Sequence, residues 1–174
     1  ELDKSLVRLG VEGVELFYVH RREKERDIEE VTEGLASLIK KGKTKHIGFS
    51  EIAPASLRRA SKVHHIAAVQ SEYSLSTRAP ELGLVQACAE LGTTLVAFSP
   101  VGRTFLTDTP MSYETGQSLA FTQNNPRFMQ PDYAANIVST DKFRHYASDH
   151  GMAAATLAIS WLLHQGGHIL PIPG

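Results

Sequence analysis

Four short runs in this chain each stop on side chains that can bind or react. "VELFYVH" ends in His20, and "TKHIGFS" ends in Ser50, followed by Glu51. "IAAVQ" ends in Gln70, with Glu72 two places on, and "TTLVAFS" ends in Phe98 and Ser99. Taken singly, each has an ordinary reading: a structural histidine, a hydrogen bonder at a strand end, a core aromatic. Four in register are another matter. A side-chain amide and a hydroxyl together satisfy the donor and acceptor of a carboxamide, and an aromatic ring offers a face for stacking. That set suits a planar, amide-bearing ligand such as nicotinamide. "SPVGRT", directly after Phe98, adds backbone N–H groups and Arg103 for phosphates.

Those residues share a face only if the runs are strands of one sheet. Asp3 can cap a helix carrying Leu6 and Leu9 that stops at Gly10, and a capping-box start at Asp27 and Glu30 opens an amphipathic helix that runs to Gly42. Pro54 and Pro80 open two more helices. The five expected strands are 14–20, 44–49, 66–70, 94–98 and 168–171. They are nearly continuous apolar runs joined by helices, the pattern of a parallel sheet covered on both faces. No G-x-G-x-x-G or Walker A run is present, which turns the reading from a doubly wound sheet to an α/β (β/α)8 TIM barrel. The chain supplies about the last five βα units, residues 1–174 forming the C-terminal portion of one barrel. Its opening without Met fits units missing from the front. Residues 100–138 read as one long loop, and two helices follow, parted near Gly151.

Composition narrows the classes. A net charge of -1 gives no general attraction to nucleic acid or an anionic membrane. No apolar run approaches a membrane span. The single Cys88, in a helical pattern, reads as a small buried hydrophobe in a reducing, cytoplasmic setting. His64, His65, His145, His150, His164 and His168 lack the cysteines or carboxylates that would complete a metal site, so the expected metal is none. The basic groups at 21–26 and 40–45 read as solvated faces.

The chain resembles the aldo-keto reductases, through "SLVRLG…VELFYVHR", "GKTKHIGFSE", "AAVQSEYSLSTR", "ELGTTLVAFSPVGRTFL" and "ILPIPG". The wording is most similar to bacterial and plant members that reduce small aldehydes and ketones, including pyridoxal-reductase-like enzymes. The resemblance implies NADPH/NADP+ as cofactor and hydride transfer to a carbonyl carbon. It gives His20 the role of hydrogen-bonding the substrate carbonyl. Ser50 and Gln70 would hold the nicotinamide carboxamide, and Phe98 would stack on the ring where the family usually has Tyr. Ser99, Val101 and Arg103 would lie along the pyrophosphate, and the 100–138 loop would cover the cofactor and shape the site of a small-molecule carbonyl substrate. Arg127 or Phe128 would meet that substrate or pack against the loop.

The departures are informative. Glu51 stands where many members have Asn, and Val101 and Thr104 replace the commoner Leu and Gly. The family's catalytic Asp, Tyr and Lys come from earlier strands, so the 174 residues alone are expected to be inactive. Tyr18, expected to point out of the barrel, and Tyr73, expected under a loop, are poor substitutes. The alternative is a catalytically inactive cofactor-binding or regulatory module of the same fold, like potassium-channel β subunits. His20 favours the enzyme, because those subunits generally carry Asn there. Which carbonyl is reduced and the oligomeric state are left open by the sequence.

Overall fold

In the computed structural model, which describes residues 1–23 and 25–174, five parallel strands form one sheet in chain order. Lys24, part of the basic group at 21–26, lies outside the described residues. The elements run α1 (Leu2–Leu9), β1 (Val14–Val19), α2 (Ile28–Lys40), β2 (Thr44–Ser50), α3 (Pro54–Val63) and β3 (Ala68–Glu72). Then come α4 (Leu84–Leu91), β4 (Thr94–Phe98), α5 (Tyr113–Ser118), α6 (Asp132–Asp149), α7 (Ala154–Leu163) and β5 (Ile169–Ile172).

Period-two alternation sorts the sheet's residues. Ile47, Phe49, Val69, Leu95, Ala97 and Ile169 turn to the helices and form the core with Ile28, Leu35, Leu57, Ala60, Ala87 and Leu162, while Phe17 and Val19 pack at its margin. The other set, Tyr18, Gly48, Ser50, Ala68, Gln70, Val96, Phe98, Leu170 and Ile172, lines the helix-free face. A closed barrel keeps its interior there. Leu170 and Ile172 are exposed on it.

Three local expectations change. Asp27 precedes α2 but caps nothing with its side chain. Its carboxylate accepts a hydrogen bond from Arg59 Nη2 at 3.3 Å instead, beside Glu29, which takes the same guanidinium at 2.6 Å. The helix opened by Pro80 splits into a 3-10 turn (Ala79–Leu82) and α4, because Gly83 sits at φ 128 between them. Nor is the 100–138 stretch structureless. It holds α5, capped by the Ser112 hydroxyl accepting from Thr115 N, a 3-10 turn at Pro126–Phe128, and the first turns of α6.

That excursion has a small core of its own. The rings of Phe105 and Phe128 lie 5.0 Å apart, and those of Tyr113 and Tyr133 5.5 Å apart. Arg144 ties α6 to it by donating to Phe105 O at 3.2 Å. Asp108 reaches back to accept from Ala154 N at 3.0 Å, supplying at α7 the cap that Ala153 lacks. Cys88 is fully buried, and burial pushes its thiol up to about 11.

Candidate functional site

Parallel pairing sets Ser50, the last residue of β2, opposite Gln70 on the helix-free face; Gln70 is the middle residue of β3, which runs two residues past the expected end at 70. Val19 pairs with Phe49, so His20 follows one step on beside Ser50. Ser50 is 8% exposed and Gln70 half-buried. Neither side chain hydrogen-bonds another described residue, nor does His20. An amide, a hydroxyl and an imidazole thus stand side by side with their hydrogen-bonding groups unspent. His20 is exposed and Gln70 half-buried, so these groups are open to a ligand. Phe98 is half-buried and two residues further along the same face, opposite Ile172.

Tyr18 belongs to this face as well, which corrects the expectation that it points outward. It pairs with Gly48, and its ring covers that glycine so closely that a Cβ there would lie 2.7 Å from Cε1. The reason is alternation: Phe17 and Val19 take the helix side, leaving Tyr18 and His20 to the other. Burial raises the Tyr18 phenol above its ordinary value. Tyr73 is wholly buried under Trp161, and its hydroxyl donates to Glu81 at 3.0 Å. Burial and that carboxylate push its phenol up too. Both shifts run against use as a proton donor.

Beyond the strand ends the backbone is bent sharply. Ser99, Gly102, Arg103 and Thr104 all have φ between 51 and 79, within six residues. Left-handed residues in such turns direct N–H groups into a concavity suited to an anion. Thr104 is a β-branched residue at φ 79, a costly conformation. Its hydroxyl accepts from Met111 N at 2.8 Å, which anchors the turn. Gly102 presses on Ser76, whose hydroxyl would lie 2.6 Å from a Cβ. Val101 is half-buried in the same turn.

Arg103 is turned away from that concavity. Its Nη2 donates to Glu72 at 2.9 Å, and its buried Nε has no partner. Arg127 donates to the other oxygen of Glu72, which also accepts from Thr77 at 3.2 Å. Burial raises the Glu72 carboxyl, but the two guanidiniums outweigh it and hold the group below its usual range. This clasp, not assigned from the sequence, joins the end of β3 to the loop after β4 and to the far excursion. Its one sequence signal is position: Glu72 lies two residues beyond Gln70 and so on the same face. Phe128, expected at the substrate or against the loop, has no exposed surface and packs on Phe105 and Gly116.

Glu51 also departs from a ligand role. It sits at φ 54, and its carboxylate accepts from Ser71 Oγ at 2.7 Å and Glu72 N at 2.9 Å. That bonding turns it toward β3 and away from the Ser50–Gln70 pair. Among the described residues no three His, Cys, Asp or Glu side chains are grouped as metal ligands, and no helix is long and apolar enough to cross a membrane.

Comparison with known proteins agrees with this architecture. The Aldo/keto reductase family matches residues 1–174. The chain is 38% identical over 176 residues to the "Aldo-keto reductase yakc [NADP(+)]" of Schizosaccharomyces pombe, covering 99% of this chain and 52% of that protein. It is 36% identical over 173 residues to "Aldo-keto reductase str7" of Strobilurus tenacellus, covering 98% and 52%. It therefore spans about half the length of the curated relatives it matches. Among solved structures, it superposes on the glycerol dehydrogenase AKR11B4 from Gluconobacter oxydans with a TM-score of 0.83 at 23% identity, over 99% of this chain and 53% of that one. A thermostable aldo-keto reductase, Tm1743, gives 0.72 at 24%, over 99% and 53%. The structural likenesses show the fold: the five-stranded sheet is part of a TIM barrel.

Proposed function

The chain belongs to the aldo/keto reductase family, and from that premise we propose that it is the cofactor-holding part of an NADPH-dependent reductase of aldehydes and ketones. The observation that carries this is the Ser50–Gln70 pair, adjacent across two strands with unspent polar groups, beside His20 on the helix-free face. Such a pair fits a carboxamide: the serine hydroxyl and the glutamine amide can each give or take a hydrogen bond there. The fit at the phosphate end rests on the backbone N–H groups of the left-handed turn at Ser99–Thr104, since Arg103 and Arg127 are held by Glu72. A relative at 38% identity bears NADP(+) in its name.

When bound, the nicotinamide supplies hydride to the carbonyl carbon. This chain's part is to orient. Ser50 and Gln70 fix the plane of the ring, Phe98 flanks it, and the His20 imidazole donates to the carbonyl oxygen and aims its carbon. A proton must also reach that oxygen. Tyr18 stands on the correct face, but its phenol is raised by burial and among the described residues no lysine is paired with it, so the donor role is not assigned to it.

The test is direct binding. Fluorescence titration of the chain with NADPH is expected to give a dissociation constant that rises about tenfold in Gln70→Ala, the cost of one or two lost hydrogen bonds. His20→Ala is expected to leave that constant near the parent's and, in the whole protein, to lower kcat for an aldehyde about a hundredfold. Undiminished affinity in Gln70→Ala would remove the pair from the cofactor site.

A further inference from the structure

Beside the Ser50 hydroxyl lies a cavity of about 200 Å3 that the carboxamide reading touches only through that residue. Arg21, Arg22, Ser50, Glu51, Ile52, Ala53 and Ser56 line it. We propose that it is the subsite for the anionic end of the substrate, and that the carbonyl compounds reduced here carry a carboxylate a few carbons from the reacting carbon. This rests on the reductase reading and names its substrate class.

Four observations converge on an anion. The arginines follow His20 directly in the chain, so the groups that would hold the carbonyl and the charge are contiguous. Arg22 is held in place, its Nη1 donating to Glu23 O at 3.1 Å and Arg26 O at 2.8 Å. The cavity also meets the start of α3 through Ala53 and Ser56, where Ala53 offers no capping side chain and Pro54 no N–H, so first-turn amides there lack a side-chain cap. Ser50, more than nine-tenths buried and without a hydrogen-bond partner among the described residues, also lines the cavity, and its hydroxyl can accept from the carboxamide NH2 while donating its one proton to an anion.

The one carboxylate among these lining residues is engaged at a single oxygen, Oε1. Glu51 accepts from Ser71 Oγ and Glu72 N, at 2.7 and 2.9 Å. The lining therefore sets Arg21, the already bonded Arg22, two hydroxyls and the start of α3 against one acid engaged through Oε1. A carboxylate matches the planar fork of a guanidinium. The volume suits that group and a short carbon chain, and it falls below what a nucleotide or other drug-sized ligand needs.

The experiment compares 4-formylbenzoate with 4-formylbenzamide, which share a shape and differ in charge, as substrates of the whole protein with NADPH. The parent is expected to prefer the benzoate by tenfold or more in kcat/KM, mostly through KM. Arg21→Ala is expected to cut that preference about ten- to a hundredfold, the worth of a charge-assisted hydrogen bond, and Arg21→Lys to keep part of it. Equal use of both aldehydes by the parent, or a preference unchanged in Arg21→Ala, would overturn the subsite. If neither aldehyde is reduced, the reductase reading falls instead, and calorimetric titration with 4-formylbenzoate decides the subsite alone. Binding that disappears in Arg21→Ala upholds it; no binding, or binding indifferent to the change, ends it.

Discussion

Gly48→Ala is expected to destabilise the chain by about 3 kcal/mol, the upper end of what overpacking costs in a well-filled interior. The added methyl would stand 2.7 and 2.8 Å from two ring carbons of Tyr18 and 2.8 Å from the carbonyl oxygen of Ala68. The ring could swing a little, since it is a side chain on the open face. The carbonyl cannot, because β2 and β3 are registered at Gly48 and Ala68 and again at Ser50 and Gln70. Relief must come by parting those strands, which also parts the two residues assigned to the carboxamide. Urea denaturation would read the loss, and adding Tyr18→Ala is expected to restore less than half of it. A single alanine variant as stable as the parent would mean that the strands lie further apart here than described. Stability fully restored by Tyr18→Ala would mean that the ring alone sets the limit.

The same stretch shows what a sequence can and cannot disclose. Ser50 and Gln70 could be found from position alone, because each stands where an apolar run gives way to polar residues, and parallel strands bring such ends to one rim. His20 and Phe98 were legible for the same reason. Tyr18 was not: β1 has no clean alternation, five of its six residues being half-buried, so its two faces look alike until Phe17 and Val19 are seen against the core. The long excursion reads as a loop because its elements are short, and α6 buries only Ala147 fully, too little for a periodic stripe to show. The cap expected at Asp27 was lost to Arg59, 32 residues away. Glu72 was visible as a strand-end acid, but its partners lie 31 and 55 residues further on. Nothing local encodes such distances.

Glu72 is where those distances carry the most energy. Glu72→Ala leaves two guanidiniums facing each other across a site where Arg103 is 22% exposed and Arg127 38%. Breaking a fully buried pair costs 3–5 kcal/mol, and the exposure of Arg127 reduces this to about 2 kcal/mol, or a melting temperature lower by about 4–8 °C for a chain of this size. The loss should be local in its structural effect: the excursion loses its tie to β3 while its aromatic cluster of Phe105, Phe128 and Tyr133 persists. Glu72→Gln keeps the shape and removes only the charge, which makes it the informative variant for pH. The folded carboxyl is held below its ordinary value by Arg103 and Arg127. A depressed folded value means that the stabilisation is complete above the unfolded value, near 4.5, and drains away as pH falls through the lower, folded one. The parent should therefore exceed Glu72→Gln in stability by a constant margin from pH 7 down to about 5, and the margin should shrink steadily in more acid solution. Thermal melts at pH 7, 5, 4 and 3 would trace it. A margin that stays the same at every pH would mean that the amide's geometry, and not the lost charge, accounts for the difference, and the clasp would then be a hydrogen-bonded corner and not an electrostatic one.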